Sequence, residues 1–202
     1  INRATPKTQS ALLEAMEEQQ VSAEGQTRQL PQPFFVIATQ DPTHQVGTFA
    51  LPESQLDRFL MCVSLGYPDA AAERALLLGE DRRTLLKSLK AIMHAEELQA
   101  TQTKIRRIHA SSSLIDYIQK LAQSTREAGI FAEGMSPRAA IALLQASRAW
   151  AAIEGRDHVL PEDVQAVLIP VIAHRLRPLK AVSNKTNASA DLLTQLMLKI
   201  AV

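Results

Sequence analysis

Apolar and polar positions follow two different regimes along this chain. Near the start, Gln9, Leu12, Leu13 and Met16 fall on one side at helical spacing. Thr5-Pro6 just before them supplies an N-cap and a proline suited to the first helical position. The pattern then shortens. Gln19–Ala23 and Gln26–Leu30, separated by Glu24-Gly25, predict a β-hairpin that Pro31 and Pro33 end. The wholly apolar run Phe34-Phe35-Val36-Ile37-Ala38 predicts a buried strand, capped by the polar tip Thr39-Gln40-Asp41-Pro42. After a loop carrying Gly47, a short helix opens at Pro52, and Leu60-Met61-Cys62-Val63-Ser64-Leu65 predicts a second apolar strand.

Gly66-Tyr67-Pro68-Asp69 is a turn signal and marks the expected boundary, beyond which the spacing is helical throughout. Ala70–Leu86 is rich in Ala, Leu, Glu and Arg, with Gly79 as a candidate break, and Glu96–His109 carries a weaker helical pattern. Ser112 or Ser113 is expected to cap a helix whose Leu114, Ile118 and Leu121 line one face. Ser136-Pro137 starts another, with Ile141, Leu144 and Ala151 apolar. The clearest pattern opens at Leu160-Pro161-Glu162-Asp163. There Val164, Val167, Leu168, Val171 and Ile172 form a stripe, with Pro170 as an expected bend. The polar stretch Lys180–Ala190 reads as a mobile linker, and Asp191–Ile200 as a last short helix.

Composition narrows the class. The chain has 202 residues, 46% hydrophobic and 21% charged, which suits a soluble globular protein able to bury a core. A net charge of +1 argues against a general nucleic-acid binder. That charge is unevenly divided: residues 1–67 hold four Lys/Arg against seven Asp/Glu, a net of −3, which leaves +4 for residues 68–202. Cys62 is the only cysteine, which points to a reducing, cytoplasmic setting. No apolar run approaches the ~20 residues that span a bilayer. The first residues, Ile1-Asn2-Arg3, lack an initiator Met, so the chain reads as cut from something longer.

Two arginines carry the candidate chemistry. Arg138 falls at about the second position of its helix, where a cation opposes the helix dipole by typically ~0.3–1 kcal/mol. An anionic ligand near the helix start would reverse that sign, and an ordinary pairing with a nearby acid would also account for it. Arg58 lies near the end of its short helix, where a cation is tolerated, and position alone makes it a solvated surface residue. Other constellations are weaker. His44, His94, His109, His158 and His174 never pair at the spacing of metal ligands on a helix. Cys62 falls inside an apolar run and reads as a buried, inert thiol; Trp150 reads as core; and Lys104, Arg106 and Arg107 read as a solvated face.

Taken in order, six segments run the length of the chain: the apolar strand with Thr39-Gln40-Asp41-Pro42; Leu51-Pro52-Glu53-Ser54-Gln55-Leu56-Asp57-Arg58-Phe59; Gly66-Tyr67-Pro68; Gly134-Met135-Ser136-Pro137-Arg138-Ala139; Gly155-Arg156-Asp157-His158-Val159-Leu160-Pro161-Glu162-Asp163-Val164; and His174-Arg175-Leu176-Arg177-Pro178. This series resembles the MoxR family of AAA+ ATPases. The resemblance implies a partial P-loop NTPase (AAA+) α/β core with an inserted β-hairpin over residues 1–67, and an all-α helical lid over residues 68–202. It implies ATP with Mg²⁺, most metal ligands falling outside this chain, and a ring of copies, expected to be hexameric. A von Willebrand factor A domain protein or a client complex is the implied partner, which the ATPase would remodel or mature as a chaperone does. By the same resemblance Arg58 matches the arginine finger that reaches a neighbouring subunit's site, where it would neutralise charge growing on the γ-phosphate, an effect worth ~10³–10⁵ in rate. Arg138 matches the sensor-two arginine, and Asp41 occupies the sensor-one position. The segment 19–30 matches the hairpin before sensor one.

Two departures bear on that reading. The family usually carries Asn where Asp41 stands, and an ionised Asp accepts hydrogen bonds but cannot donate to a phosphate or a water. No Gly-x-x-x-x-Gly-Lys-Ser/Thr occurs in these residues, nor an apolar run ending in Asp-Glu, so the expectation is a C-terminal portion that is catalytically incomplete by itself. A non-catalytic lid and interaction module that binds a protein partner stays open as the alternative. In the complete protein, Asp41→Asn is expected to preserve or raise ATP hydrolysis; steady-state turnover checks this, and a large loss refutes it.

Overall fold

The computed structural model describes residues 1–40, 48–79, 86–179 and 185–200, with side chains described from residue 188 onward in the last of these segments. Its elements are α1 (Pro6–Glu18), β1 (Gln20–Ala23), β2 (Gln26–Gln29), α2 (Glu53–Leu56), α3 (Ala70–Leu77), α4 (Ala95–Arg106), α5 (Ser112–Glu127), α6 (Pro137–Ile153), α7 (Pro161–Ile172), a 3₁₀ turn (Ala173–Arg175) and α8 (Lys185–Met197).

The caps explain most of the helix starts. Thr5 takes the Thr8 amide on its hydroxyl with Pro6 at the first helical position, as the sequence predicts. Leu13 of α1 is buried, as is the side chain of Gln9, whose amide nitrogen reaches the Ile1 carbonyl at 3.3 Å. Gln19 then adopts a left-handed conformation (φ 55°), which ends the helix and turns the chain directly into the hairpin. The strands pair antiparallel from Gln20–Gln29 to Ala23–Gln26, and Glu24 and Gly25, both at positive φ, close the turn. Asp69 caps α3, Ser111 caps α5 (one residue before the predicted serines) and Ser136 caps α6. At α7 the side chain of Asp163 accepts from the Leu160 amide at 2.7 Å.

The core lies among α5, α6, α7 and α8, with α6 and α7 in the most extensive contact. Leu143, Val164, Val171 and Ile172 are wholly buried there, so the stripe predicted from Val164 to Ile172 is the inner face of α7 even with Pro170 inside the helix. Two backbone bridges, His109 with His158 and Phe131 with Pro178, tie the loops at the bundle ends. Among the described residues no helix is long and apolar enough to cross a membrane.

Several expectations are corrected. Phe34–Ala38 and Leu60–Leu65 run without strand structure, and the hairpin is the one sheet among the described residues. Phe35 is 70% exposed, Ile37 82% and Leu65 95%; a strand needs a ladder partner, and no described residue supplies one. Cys62 is therefore exposed rather than buried, although its amide donates to the Pro170 carbonyl at 2.8 Å and docks the segment on α7. Trp150 is also exposed, on the outer side of α6. The helix predicted over 70–86 ends at Leu77, just before the expected break at Gly79, which lies at φ 79°. Part of the predicted linker 180–190 is helix, since α8 starts at Lys185. Ala188 and Ser189 are buried, and the Ser189 hydroxyl donates to the Leu176 carbonyl at 2.8 Å.

Asp163 is 1% exposed and receives both ends of the Arg156 guanidinium, at 2.6 and 2.5 Å. Those hydrogen bonds hold its carboxyl below the usual carboxylate value of 3.8. A depressed carboxyl contributes stability above its unfolded value and loses it as pH falls through the folded one. Acid titration is therefore expected to weaken the bundle below about pH 3.8. Asp163→Ala is expected to cost on the order of 2 kcal/mol at neutral pH by urea unfolding, and to flatten the acid limb of the stability–pH curve.

Candidate functional site

Four elements meet where the amino-terminal segment touches the helical bundle: the last turn of α1, the end of α2, the start of α6, and the 3₁₀ turn after α7. The sequence around α2 makes the junction possible. Pro52 starts a helix too short to bury anything, so consecutive residues Asp57, Arg58 and Phe59 leave its end in different directions.

Asp57 turns toward the bundle. One carboxylate oxygen accepts from the Arg175 guanidinium at 3.0 Å and the other from the Ser136 hydroxyl at 2.9 Å. Ser136 does double duty, since its oxygen also accepts from the Ala139 amide at 3.0 Å as the cap of α6. The Arg175 side chain is 4% exposed and also donates to the Phe59 carbonyl at 2.7 Å and the Leu60 carbonyl at 3.3 Å. Burial pushes its guanidinium below the ordinary value, and the Asp57 charge opposes that shift. Beside it, His174 meets the same Phe59 carbonyl through Nε2 at 3.1 Å. Burial holds that imidazole below 6.5, and its buried Nδ1 has no hydrogen-bond partner.

Arg58 turns the other way, toward α1. It donates to the Leu13 carbonyl at 2.9 Å and pairs with Glu17. Arg138, at the second position of α6, pairs with the other oxygen of Glu17 at 2.6 Å and comes within 3.9 Å of Asp57. Both arginines thus share one carboxylate. Arg58, expected to face solvent freely, is 29% exposed, while Arg138 is 50% exposed. The adverse position of Arg138 on the helix dipole is offset by Glu17 from another element, the acid pairing that position alone left open.

The loop that aims α6 is fixed from behind. Arg126 donates through Nε and Nη2 to the Met135 carbonyl at 2.9 and 2.8 Å, and the Thr125 hydroxyl accepts from the Met135 amide at 2.9 Å. Gly134 packs so tightly there that an added Cβ would lie 2.4 Å from the Arg126 Cγ and 2.7 Å from its Cα.

Three guanidiniums, Arg58, Arg138 and Arg175, face two carboxylates, Glu17 and Asp57, so the junction carries one positive charge in excess. Arg58 and Glu17 also line an open groove of about 270 Å³ between α1 and α2, whose other lining residues, Ser10, Leu13, Glu14, Glu18, Ser54 and Gln55, make it acidic overall. Outside that groove's acidic wall, the forks of Arg58 and Arg138 that converge on Glu17 suit the terminal oxygens of a phosphate chain. The described residues contain no group of three or more His, Cys, Asp or Glu able to hold a metal ion. Of the residues singled out from sequence, Arg58 and Arg138 are brought together, and Asp41 lies outside the described residues. Sequence reading assigns no site role to Glu17, Asp57, Ser136 or Arg175, although the last three lie within the segments that carry the family resemblance. Asp57 beside Arg58 was a usable signal, whereas nothing local distinguishes Glu17 from its neighbours Glu14 and Glu18.

Residues 1–61 match the family profile described as "ATPase family associated with various cellular activities (AAA)", and residues 123–195 match that of an AAA lid domain. The chain is 42% identical over 176 residues to the Bacillus subtilis protein YeaC, itself uncharacterized, a match covering 87% of this chain and 55% of YeaC. To the chaperone MoxR1 of Mycobacterium tuberculosis it is 38% identical over 185 residues, covering 87% of this chain and 48% of that protein. A crystal structure of a candidate ATPase from Cytophaga hutchinsonii aligns with a TM-score of 0.88 at 33% identity, over 99% of this chain and 63% of that one. The chain therefore spans about half the length of the curated relatives it matches.

Removing Asp57 strands a buried guanidinium. Asp57→Ala is expected to destabilise the protein by about 2–4 kcal/mol, read by chemical denaturation. Arg175→Lys is expected to destabilise too, since an ammonium cannot reproduce the fork that spans Asp57 and two carbonyls.

Proposed function

Because the chain belongs to the MoxR family of AAA+ ATPases, we propose that it supplies the phosphate-sensing half of an ATP-hydrolysing site. In this reading residues 1–67 are the carboxyl-terminal part of the α/β nucleotide-binding domain and residues 68–202 are the helical lid. The residues that cradle the phosphates and bind Mg²⁺ lie elsewhere in the complete protein. The observation that carries the proposal is the convergence of Arg58 and Arg138 on one carboxylate. Two guanidiniums drawn from different elements are costly to bring together, and an anionic ligand gives that cost a purpose.

The chemistry is transfer of the γ-phosphoryl group to water. Charge accumulates on the equatorial oxygens and on the leaving oxygen as the bond breaks, and catalysis consists mainly of holding positive charge where it develops. Arg58 meets that charge from a neighbouring copy in a ring, with a hexamer as the expected assembly. Arg138, carried on the lid, reports whether the γ-phosphate is present. By the family pattern Asp41 would take the sensor-one position, where its carboxylate would accept from a water held by Mg²⁺, and the metal would neutralise the phosphate chain. Asp57, Ser136 and Arg175 do no chemistry. They fix the lid against α2, so that the sensing arginine and the finger keep their relative placement.

Coupled to this cycle, the protein remodels or matures a partner complex as a chaperone does, a role suggested by the relative named chaperone MoxR1. A von Willebrand factor A domain protein is the expected class of partner. The exposed leucines of α3 and the residues beyond it, Leu77, Leu78 and Leu89 among them, support a protein-binding face on the lid.

In the complete protein, Arg58→Ala is expected to lower hydrolysis by about 10³-fold or more while nucleotide binding changes little. Turnover assays and binding of a fluorescent ATP analogue check this, and unchanged turnover removes Arg58 from the finger role.

A further inference from the structure

Glu17 is the one acid that touches both arginines, and its setting needs explaining. It lies in the last turn of α1, where the helix dipole disfavours a carboxylate, so helix stability does not account for it. Its two oxygens are divided, one to Arg58 and one to Arg138. The two cations are not held equally. Arg58 has a second acceptor on α1, the Leu13 carbonyl at 2.9 Å, whereas Arg138 has Glu17 at 2.6 Å and only a distant Asp57 at 3.9 Å. Arg138 is also the more exposed side chain of the two.

We propose that Glu17 is a positioning residue that competes, for Arg58 and Arg138, with the terminal phosphate of a nucleoside triphosphate held in the neighbouring copy, and so sets discrimination between triphosphate and diphosphate. The proposal rests on the reading of those arginines given above. A carboxylate offers two oxygens and one negative charge to the pair. A terminal phosphate offers three oxygens and close to two charges in the same role, so it displaces the carboxylate when it reaches the pair. A diphosphate ends one phosphate short, leaves the carboxylate in place and gains nothing from the arginines. Glu17 thereby keeps two like charges together until a triphosphate arrives and raises the threshold for the anion that replaces it. Arg138, with fewer competing acceptors, transfers first.

The test uses the complete protein and measures equilibrium binding of a non-hydrolysable ATP analogue and of ADP, together with KM and kcat. Glu17→Gln keeps the shape and removes the charge. It is expected to tighten analogue binding about three- to tenfold, a gain of the size that one charged competitor supplies, with ADP binding unchanged. KM for ATP should fall by a similar factor. Glu17→Asp should leave the triphosphate-to-diphosphate ratio near that of the parent. In an Arg138→Ala background the gain from Glu17→Gln should shrink, since only Arg58 is left to release. An unchanged ratio in Glu17→Gln, or weaker analogue binding, overturns the competition while leaving the roles of Arg58 and Arg138 intact. If Arg58→Ala and Arg138→Ala themselves leave hydrolysis unchanged, it is the reading of the site that falls.

Discussion

The contact between Asp57 and Arg175 is the constraint on which the arrangement depends. A guanidinium this buried is tolerable only with its charge opposed and its donors used, and Asp57, Phe59 and Leu60 together meet that demand. All three acceptors come from one short stretch, so the buried cation fixes the backbone on both sides of Arg58. The second oxygen of Asp57 reaches Ser136 and thereby the cap of α6. One ion pair thus determines where two different arginines begin. Further contacts across this junction include Arg138 with Glu17, Arg177 with Glu53 at 2.8 Å, and the amide of Cys62 on the Pro170 carbonyl.

Much of the fold was legible because its signals are local. Thr5-Pro6, Ser136-Pro137 and Leu160-Pro161-Glu162-Asp163 announce helix starts through caps and ring geometry that need no distant partner, and each helix begins there. Glu24-Gly25 between alternating segments announces the hairpin for the same reason. The strands failed where the signal is relational. Phe34–Ala38 and Leu60–Leu65 have the composition of buried strands, but composition does not say what lies alongside, and here nothing described forms the ladder. The stretch misread as a linker shows the converse error. Lys185–Ala190 is polar by composition, yet packing on Leu176 through Ser189 overrides weak intrinsic propensity.

The site divides along the same line. The positions of Arg58 and Arg138 in their helices could be read directly, and the family resemblance gave them roles. Their meeting could not be read, because it depends on Glu17, a residue whose sequence neighbourhood offers two other glutamates on the same helix. Glu14, Glu17 and Glu18 all line the groove beside α2, and which of them meets the arginines is decided by tertiary packing that helical spacing does not specify. The buried pairing of Asp57 with Arg175 spans 118 positions of sequence, beyond the reach of any periodicity argument.

Gly134 shows how little freedom such an arrangement leaves to inheritance. Gly25, Gly66, Gly79, Gly129 and Gly155 have nothing within 4 Å of where a side chain would begin, and their constraint is one of backbone angle alone. At Gly134 the obstacle includes the main chain of Arg126 itself, at 2.7 Å, which no change of rotamer can clear. A mutation there would not remove a functional group, yet it would lift Met135 off Arg126 and tilt the start of α6. A codon change at a residue without a side chain is thereby felt at a guanidinium four positions away, and compensation would have to come from the backbone of another helix.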